Sequence, residues 1–254
     1  MDRRRRGFDM QRWVIRALLA LATLMIVLLH LIAPNATDPV AARRAQAIAL
    51  MATGLFLIWV VAAGGLMLRY RLEIVAWIRS IPLKWQVKFV AFAVALACLE
   101  EAVTVSMTNL APLFGSTPQE AHITASTNYL DVVAFHSVVV FVPFFIALAL
   151  LLTRWAFSPF AVFLGFGMVG TLAEAMFAAN LFMLAAFPIW AFVYGLMVWL
   201  PASAVPTDRG ARPVGPGFGL LLPVMIFVLA LPMVAPIVWL IAIALGHPAI
   251  DFAP

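Results

Sequence analysis

The chain has 254 residues, of which 65% are hydrophobic and only 11% are charged, and its mean hydropathy is +1.08. Soluble domains are about 45–50% apolar and about 25% charged, so this composition excludes a soluble globular protein and predicts an integral membrane protein, with the lipid bilayer as its main partner. The net charge of +5 is explained by basic residues that fix orientation in a membrane, so we expect no nucleic-acid partner.

Apolar runs of about twenty residues recur along the chain and predict transmembrane helices. Backbone polar groups in hydrocarbon must be satisfied within their own segment, which a helix achieves alone, and the short alternating segments of a barrel are not seen. Seven spans are predicted, at residues 13–33, 45–68, 86–110, 130–153, 158–178, 181–200 and 218–246. A short amphipathic helix is predicted in residues 69–84, lying in the membrane interface and ending near Pro82. The predicted fold class is therefore all-α, a polytopic helical membrane protein with one integral membrane domain in residues 1–254.

The basic residues predict the orientation of this bundle. With a cytoplasmic N-terminus, fourteen of the sixteen Lys and Arg fall in cytoplasmic segments and only Arg43 and Arg44 fall outside. We therefore expect a cytoplasmic N-terminus and an extracytoplasmic C-terminus, in a bacterial inner membrane. The first apolar run could instead be a secretory signal, but Pro34-Asn35-Ala36 is a poor cleavage context, so a retained helix is favoured.

Four acidic residues lie inside or at the edge of the predicted spans, namely Glu100, Glu101, Asp131 and Glu174. A charged side chain at the centre of a span costs about 2.5–3.5 kcal/mol on insertion scales, so such residues usually face the bundle interior and mark a site. Given a rise of 1.5 Å per residue, these residues and His136 all fall in the outer half of the membrane. They lie on three consecutive helices, which we expect to be neighbours, so the side chains are predicted to converge.

Polar and small residues accompany these carboxylates. Thr104 and Thr108 share a helical face with Glu101. Gly170 lies one turn before Glu174 and should let another helix approach closely. The residues with a predicted supporting role are Asp131, Thr104, Thr108 and Asn180. Each carboxylate could instead bond only to a neighbouring helix, Asp131 could only cap the fourth span, and His247 after the last span is expected to be solvated.

The predicted cluster could support several kinds of chemistry. Two adjacent carboxyl groups in a low dielectric cannot both ionise cheaply, so one protonated and one ionised group would form a general acid and base. Carboxylate oxygens and imidazole nitrogen also suit a divalent metal such as zinc, for which Glu101, His136 and Glu174 are the expected ligands. The same groups could carry a proton or a cation. Cys98 is the only cysteine, which excludes a thiolate metal cage.

The Glu100-Glu101 pair within a span, followed by His136 in the next span, resembles the intramembrane glutamate proteases, meaning the CAAX-protease and bacteriocin-processing family and its PrsW-like relatives. The resemblance covers residues 90–180. It implies that Glu101 is the water-activating base, that Glu100 is its partner, and that His136 polarises the oxyanion. The chain departs from the family pattern at Val105, where the family has an arginine four residues after its second glutamate.

Three functions are compatible with these features. The preferred one is an intramembrane hydrolase that acts on a peptide or a lipid, with a membrane protein or lipid as its substrate. The alternatives are a proton- or cation-coupled transporter or channel, and a non-catalytic subunit of a membrane complex. Transport is less favoured because no acidic residue lies in the inner half of the spans. The substrate and the oligomeric state are left open.

Overall fold

The computed structural model describes residues 2–36, 38–215 and 217–250, with side chains from residue 10 onward. Within these ranges, seven helices are long and apolar enough to cross a membrane. They are Met10–Asn35, Pro39–Arg69, Trp85–Asn109, Tyr129–Arg154, Pro159–Phe177, Leu181–Ala204 and Phe218–Ala244. The prediction of an all-α membrane protein with seven spans is therefore confirmed. The largest difference is at the second span, which begins at Pro39 rather than near residue 45, because the Asp38 side chain accepts hydrogen bonds from the amides of Val40 and Ala41 and caps the helix there.

In the part of the chain that the structure describes, ten α-helices make up the spans and one connection. They are α1 (Asp2–Ile32), α2 (Pro39–Leu55), α3 (Gly64–Arg69), α4 (Arg71–Ser80), α5 (Trp85–Asn109), α6 (Tyr129–Asp131), α7 (Ser137–Arg154), α8 (Pro159–Phe177), α9 (Phe187–Ala204) and α10 (Leu222–Trp239). Three π-helical segments continue the spans: Phe56–Ala63 joins α2 to α3, Val132–His136 joins α6 to α7, and Leu240–Ala244 extends α10. A two-residue parallel strand pair, β1 (Trp155–Ala156) and β2 (Arg212–Pro213), follows α7 and α9 respectively.

The last five spans form a closed ring. Going around the ring, each helix packs against the next in the order α5, α7, α10, α8 and α9, and α9 packs against α5. The first two spans pack outside the ring, where α1 contacts α9 and α2 contacts α5. The third, fourth and fifth spans were expected to be neighbours, but α9 of the sixth span lies between α5 and α8 in the ring. Side chains of the third and fifth spans can therefore meet only inside it.

The pair α8 and α9 is held together by glycines. A Cβ atom at Gly167 would lie 2.6 Å from Cα of Ala191, and a Cβ atom at Gly195 would lie 2.7 Å from the carbonyl oxygen of Phe163. These are distances that real Cβ atoms do not reach, so only glycine permits such close packing of the two backbones. The tight α8–α9 contact fixes how the side chains of both helices enter the ring.

Basic side chains bind helix ends at one end of the bundle, which we call the basic end. Arg209 donates hydrogen bonds to the carbonyl oxygens of Leu152 at 2.7 Å, Trp155 at 3.2 Å and Pro206 at 2.6 Å. Burial lowers the pKa of the Arg209 guanidinium from its ordinary value, because desolvation disfavours the charged form. The three carbonyl oxygens compensate for part of that desolvation and connect the end of α7 to the loop after α9.

The predicted short helix is α4, which ends at Ser80, two residues before Pro82. Arg79 donates from Nε to the carbonyl oxygen of Ala204 at 3.2 Å, and so connects α4 to the end of α9. Lys88 donates from Nζ to the carbonyl oxygens of Arg79 at 3.0 Å and Ile81 at 3.1 Å. The basic residues of this connection therefore satisfy backbone carbonyl groups at the basic end.

Candidate functional site

Carboxyl groups from the third and fifth spans meet inside the ring. Glu100 and Glu101 in α5 are only 4% and 6% exposed, and Glu174 lies in the last turn of α8. Glu100 interacts electrostatically with both Glu101 and Glu174. The hydroxyl of Tyr194, from α9, donates a hydrogen bond to Glu174 Oε1 and interacts electrostatically with all three glutamates. We call Glu100, Glu101, Glu174 and Tyr194 the carboxyl cluster.

The ring packing explains how Tyr194 reaches these acids. Gly170 faces the Tyr194 ring so closely that a Cβ atom would overlap it, so the absence of a side chain at Gly170 makes room for the phenol. Phe141 from α7 packs edge-on against the same ring, with centroids 5.6 Å apart. Further into the ring, Phe145 from α7 and Phe166 from α8 pack with centroids 5.3 Å apart and are almost fully buried. The carboxyl cluster therefore lies above a filled aromatic interior.

Glu101 has its own set of hydroxyl partners. Thr104 donates to Glu101 Oε2 at 2.9 Å, and the Ser137 side chain at the start of α7 lies close to the same carboxyl group. The hydroxyl of Tyr129 donates to the carbonyl oxygen of Cys98 at 3.1 Å, about one turn before Glu101. The start of the fourth span is thereby fixed against α5 at the level of the acids, and Glu101 is oriented by the Thr104 hydroxyl.

The cluster has no cation close to it in the ring spans. Lys88 and Arg154 are the only Lys or Arg in those five spans, and both lie at or near the basic end. Lys88 precedes Glu100 by twelve residues, which is about 18 Å along a helix. The observed partners of the carboxyl groups of the cluster are therefore hydroxyl groups, and no Lys or Arg of the ring spans lies beside them.

A second polar group lies where the fourth span begins. Asp131 Oδ2 is 3.1 Å from His136 Nε2, and Asp131 Oδ1 is 2.8 Å from His247 Nε2. The expectation that His247 is solvated is wrong, because its side chain is only 17% exposed and faces Asp131. The chain after α10 therefore folds back over the start of the fourth span. We call Asp131, His136 and His247 the Asp-His-His group.

This group, and not the one expected from the sequence, brings metal-ligand atoms together. Among the residues that the structure describes, it is the only set of three or more His, Cys, Asp or Glu whose ligand atoms all lie within 4.8 Å of one another. The expected metal ligands were Glu101, His136 and Glu174, and only His136 belongs to the set that the structure assembles. The reason is that the imidazole of His136 faces Asp131, while Glu101 and Glu174 face the carboxyl cluster.

Two of the predicted supporting residues serve the loops instead. Thr108 Oγ1 accepts a hydrogen bond from the amide of Ile123 at 3.2 Å, and so holds the connection that follows α5. Asn180 Oδ1 accepts from the amide of Phe182 at 3.0 Å and caps the 3₁₀ turn Leu181–Ala186. Neither contact involves a carboxyl group of the cluster. Of the four supporting residues, Thr104 bonds to the carboxyl cluster and Asp131 belongs to the Asp-His-His group.

No protein-family model, curated protein or solved structure matches this chain. The residues that sequence reasoning missed at the two groups are Tyr194, Ser137 and His247. A signal for Tyr194 was present, because the chain has three tyrosines against twenty phenylalanines and a phenol inside a span needs a polar partner. No comparable signal marks Ser137 or His247, since their roles depend on where α7 and the chain after α10 are placed.

Proposed function

We propose that this chain is an intramembrane hydrolase whose active site is the carboxyl cluster. The observation that carries the proposal is that the buried Glu100 and Glu101 meet the partly buried Glu174 inside the helix ring, with no nearby Lys or Arg from the ring spans. Adjacent buried carboxyl groups share protons, because ionising all of them in a low dielectric is costly. One protonated and one ionised carboxyl side by side are the acid and base that hydrolysis needs.

Glu101 is the proposed base. The hydrogen bond from Thr104 fixes the orientation of its carboxylate. Glu101 takes a proton from water as the water oxygen bonds to the carbonyl carbon of an amide or ester. The carbonyl oxygen becomes the oxyanion of a tetrahedral intermediate. Collapse of this intermediate breaks the bond to the leaving group, which receives a proton from Glu100 as the acid.

Trp190 is a further residue that supports an active site beside Tyr194. Its indole Nε1 is buried and has no hydrogen-bond partner among the described residues. Buried polar groups are nearly always paired, so an unpaired N–H is suited to a bound water or substrate oxygen. The Trp190 and Tyr194 rings are neighbours one helical turn apart, with centroids 5.8 Å apart. We propose that Trp190 donates to the developing oxyanion, a role that the resemblance to intramembrane glutamate proteases implied for His136.

The resemblance of the Glu100-Glu101 pair to intramembrane glutamate proteases supports the same reaction class. We propose the substrate class to be a membrane peptide or a lipid, since both present an amide or ester to a site within the bilayer. The excess of Lys and Arg on one side of the bundle supports a cytoplasmic N-terminus and an extracytoplasmic C-terminus. The carboxyl cluster would then lie in the outer half of a bacterial inner membrane.

A proton- or cation-coupled transporter is the alternative that the same cluster supports, since intramembrane carboxyl groups also carry protons. The hydrogen bond from Tyr194 to Glu174 would be one link of such a path. The ring spans, however, contain no Asp or Glu between the carboxyl cluster and the basic end. A continuous path across the bundle therefore lacks acidic groups over half of its length, and hydrolysis is the better-supported function.

The test is product labelling by the purified protein in liposomes, in water enriched in oxygen-18. The probes are a total polar lipid extract and a set of synthetic membrane-spanning peptides, and products are analysed by mass spectrometry. We expect labelled carboxyl products from wild type and a fall of about 10²- to 10⁴-fold for Glu101→Gln, the range that a general base contributes. The matched control is Glu73→Gln, at an exposed position of α4.

Two results would contradict the proposal. One is equal product formation by wild type and Glu101→Gln, which would remove Glu101 as the base. The other combines two observations. Neither probe gives a labelled product, and a pH gradient drives a proton flux through wild type but not through Glu101→Gln. That second result would establish the transport alternative.

A further inference from the structure

We propose that Asp131, His136 and His247 bind one divalent cation of the zinc class, which fastens the chain after α10 to the start of the fourth span. The proposal does not depend on hydrolysis by the carboxyl cluster, because it uses different residues and a different measurement. Its basis is that a carboxylate and an imidazole at the start of the fourth span lie together with an imidazole from the far end of the chain, with ligand atoms that are all within 4.8 Å of one another.

The tautomer of His247 directs a lone pair at the carboxylate. Its Nδ1 lies 3.0 Å from the carbonyl oxygen of Pro248, and a carbonyl can only accept, so Nδ1 carries the hydrogen. In the neutral ring, Nε2 is then an acceptor, and it faces Asp131 Oδ1 at 2.8 Å. Two acceptors at this distance need a proton or a cation between them. An Nδ1–H bonded to a backbone carbonyl is also the usual outer partner of a histidine that ligates a metal through Nε2.

The π-helical segment Val132–His136 brings His136 to the same point. In an α-helix, residues five apart are turned about 140° from each other, so Asp131 and His136 would lie on different faces. In a π-helix the hydrogen bond runs from residue i to residue i+5, so these residues lie about one turn apart on one face. The amide of Ser137 donates to the carbonyl oxygen of Val132, which shows the π-helical pattern here. Such single-turn insertions are frequent at functional sites.

The third ligand is held in place by an aromatic contact. Phe135 stacks on the His247 ring with centroids 4.7 Å apart and an interplanar angle of 13°. The backbone amide of His247 donates to the carbonyl oxygen of Ile241 at 3.0 Å, which fixes the chain leaving the seventh span. The side chains of Asp131, His136 and His247 are 13%, 8% and 17% exposed. The three ligands are therefore oriented by packing and partly shielded, as a cation site requires.

The donor set selects the cation. Two imidazole nitrogens exclude a preference for magnesium or calcium, which take oxygen ligands, and favour zinc or a similar divalent transition metal. Two histidines and one carboxylate leave the fourth position of a tetrahedral zinc open to water or to a substrate group. The cation would join the fourth span to the end of the seventh, and so would stabilise the fold as well as offer that open position.

The experiment measures zinc binding by the full chain, purified in detergent without a polyhistidine tag, stripped with a chelator and titrated calorimetrically. We expect one zinc per chain. His247→Gln and His136→Gln should each weaken binding by at least about 100-fold, since losing even an outer partner of a ligand costs 10- to 100-fold. His122→Gln in the loop after α5 is the matched control and should bind as wild type does. Cobalt substitution should give the visible absorption of a tetrahedral site in wild type and in His122→Gln, and not in His136→Gln or His247→Gln.

Three results would overturn the proposal. They are no stoichiometric zinc in wild type, wild-type affinity in both histidine variants, or an equal loss of binding in His122→Gln. Circular dichroism of each metal-free variant shows whether it is folded. Asp131→Asn provides a second variant of nearly unchanged shape, and it too should lose tight zinc binding.

Discussion

The hydroxyl of Tyr194 connects two helices of the ring, because it is carried by α9 and bonds to a glutamate of α8. Tyr194 is 8% exposed, so its hydroxyl has few alternatives to this partner. The acids themselves could be found from the sequence, because Glu100, Glu101 and Glu174 stand out against an apolar background. Their partners could not, since a hydroxyl on another helix becomes a partner only once the ring brings it close.

We therefore expect Tyr194→Phe to lower the free energy of unfolding by about 1–2 kcal/mol, the range for a buried hydrogen bond to a charged or membrane-embedded group. The measurement is a denaturant titration of the purified protein in mixed micelles. Tyr70→Phe is the matched control, since Tyr70 is 49% exposed. Equal stabilities for the two variants would show that the Tyr194 hydroxyl does not hold α8 and α9 at the cluster.

At the scale of elements, the sequence predicted which segments cross the membrane but not how they are arranged. Span positions follow from the length of apolar runs, and those runs are unambiguous here. The order of helices in the ring depends on side-chain shape on each face, such as the glycines of α8, and apolar length carries no information about it. No sequence pattern predicts the π-helical segment Val132–His136 either. This segment is the reason why His136 faces Asp131 instead of Glu101.

The α8–α9 contact gives an element-scale prediction. Gly167→Ala should destabilise the protein by about 1–3 kcal/mol, because a methyl group 2.6 Å from Cα of Ala191 forces two backbones apart. Gly65→Ala is the control, since a Cβ atom at Gly65 in α3 meets nothing within 4 Å. It should be neutral or stabilising by up to about 1 kcal/mol through helix propensity. The free energy of unfolding of both variants is measured in the same mixed micelles. A Gly167→Ala protein that is as stable as Gly65→Ala, or more stable, would contradict close packing of α8 and α9.

For the molecule as a whole, the proposed orientation places the basic end in the cytoplasm. In a Cys98→Ser background, cysteines introduced at Leu113, after α5, and at Asp208, after α9, would report the two ends of the bundle. A membrane-impermeant maleimide added to intact cells should label the Leu113→Cys protein and leave the Asp208→Cys protein unlabelled. Both should be labelled after permeabilisation. Labelling of the Asp208→Cys protein alone in intact cells would reverse the orientation and place the carboxyl cluster in the cytoplasmic half.

The acidic residues of the spans form two separate groups, which the sequence did not predict. Acidic residues on three spans predicted one site, but the ring separates them into the carboxyl cluster and the Asp-His-His group. Helical depth places side chains at similar levels in the membrane without fixing the direction in which they point. His247 illustrates a further limit, because the fold-back of the chain after α10 is set by contacts with the fourth span rather than by any local pattern.

The most direct measurement is a double-mutant cycle in unfolding free energy between Glu101→Gln and Glu174→Gln, with a control cycle between Glu101→Gln and Glu120→Gln in the loop after α5. If the carboxyl groups of the third and fifth spans share one buried centre, the first cycle should show an interaction energy above about 0.5 kcal/mol and the control cycle should be additive. Additivity within about 0.3 kcal/mol in both cycles would mean that Glu101 and Glu174 are independent. The carboxyl cluster, and the hydrolase proposed for it, would then be wrong.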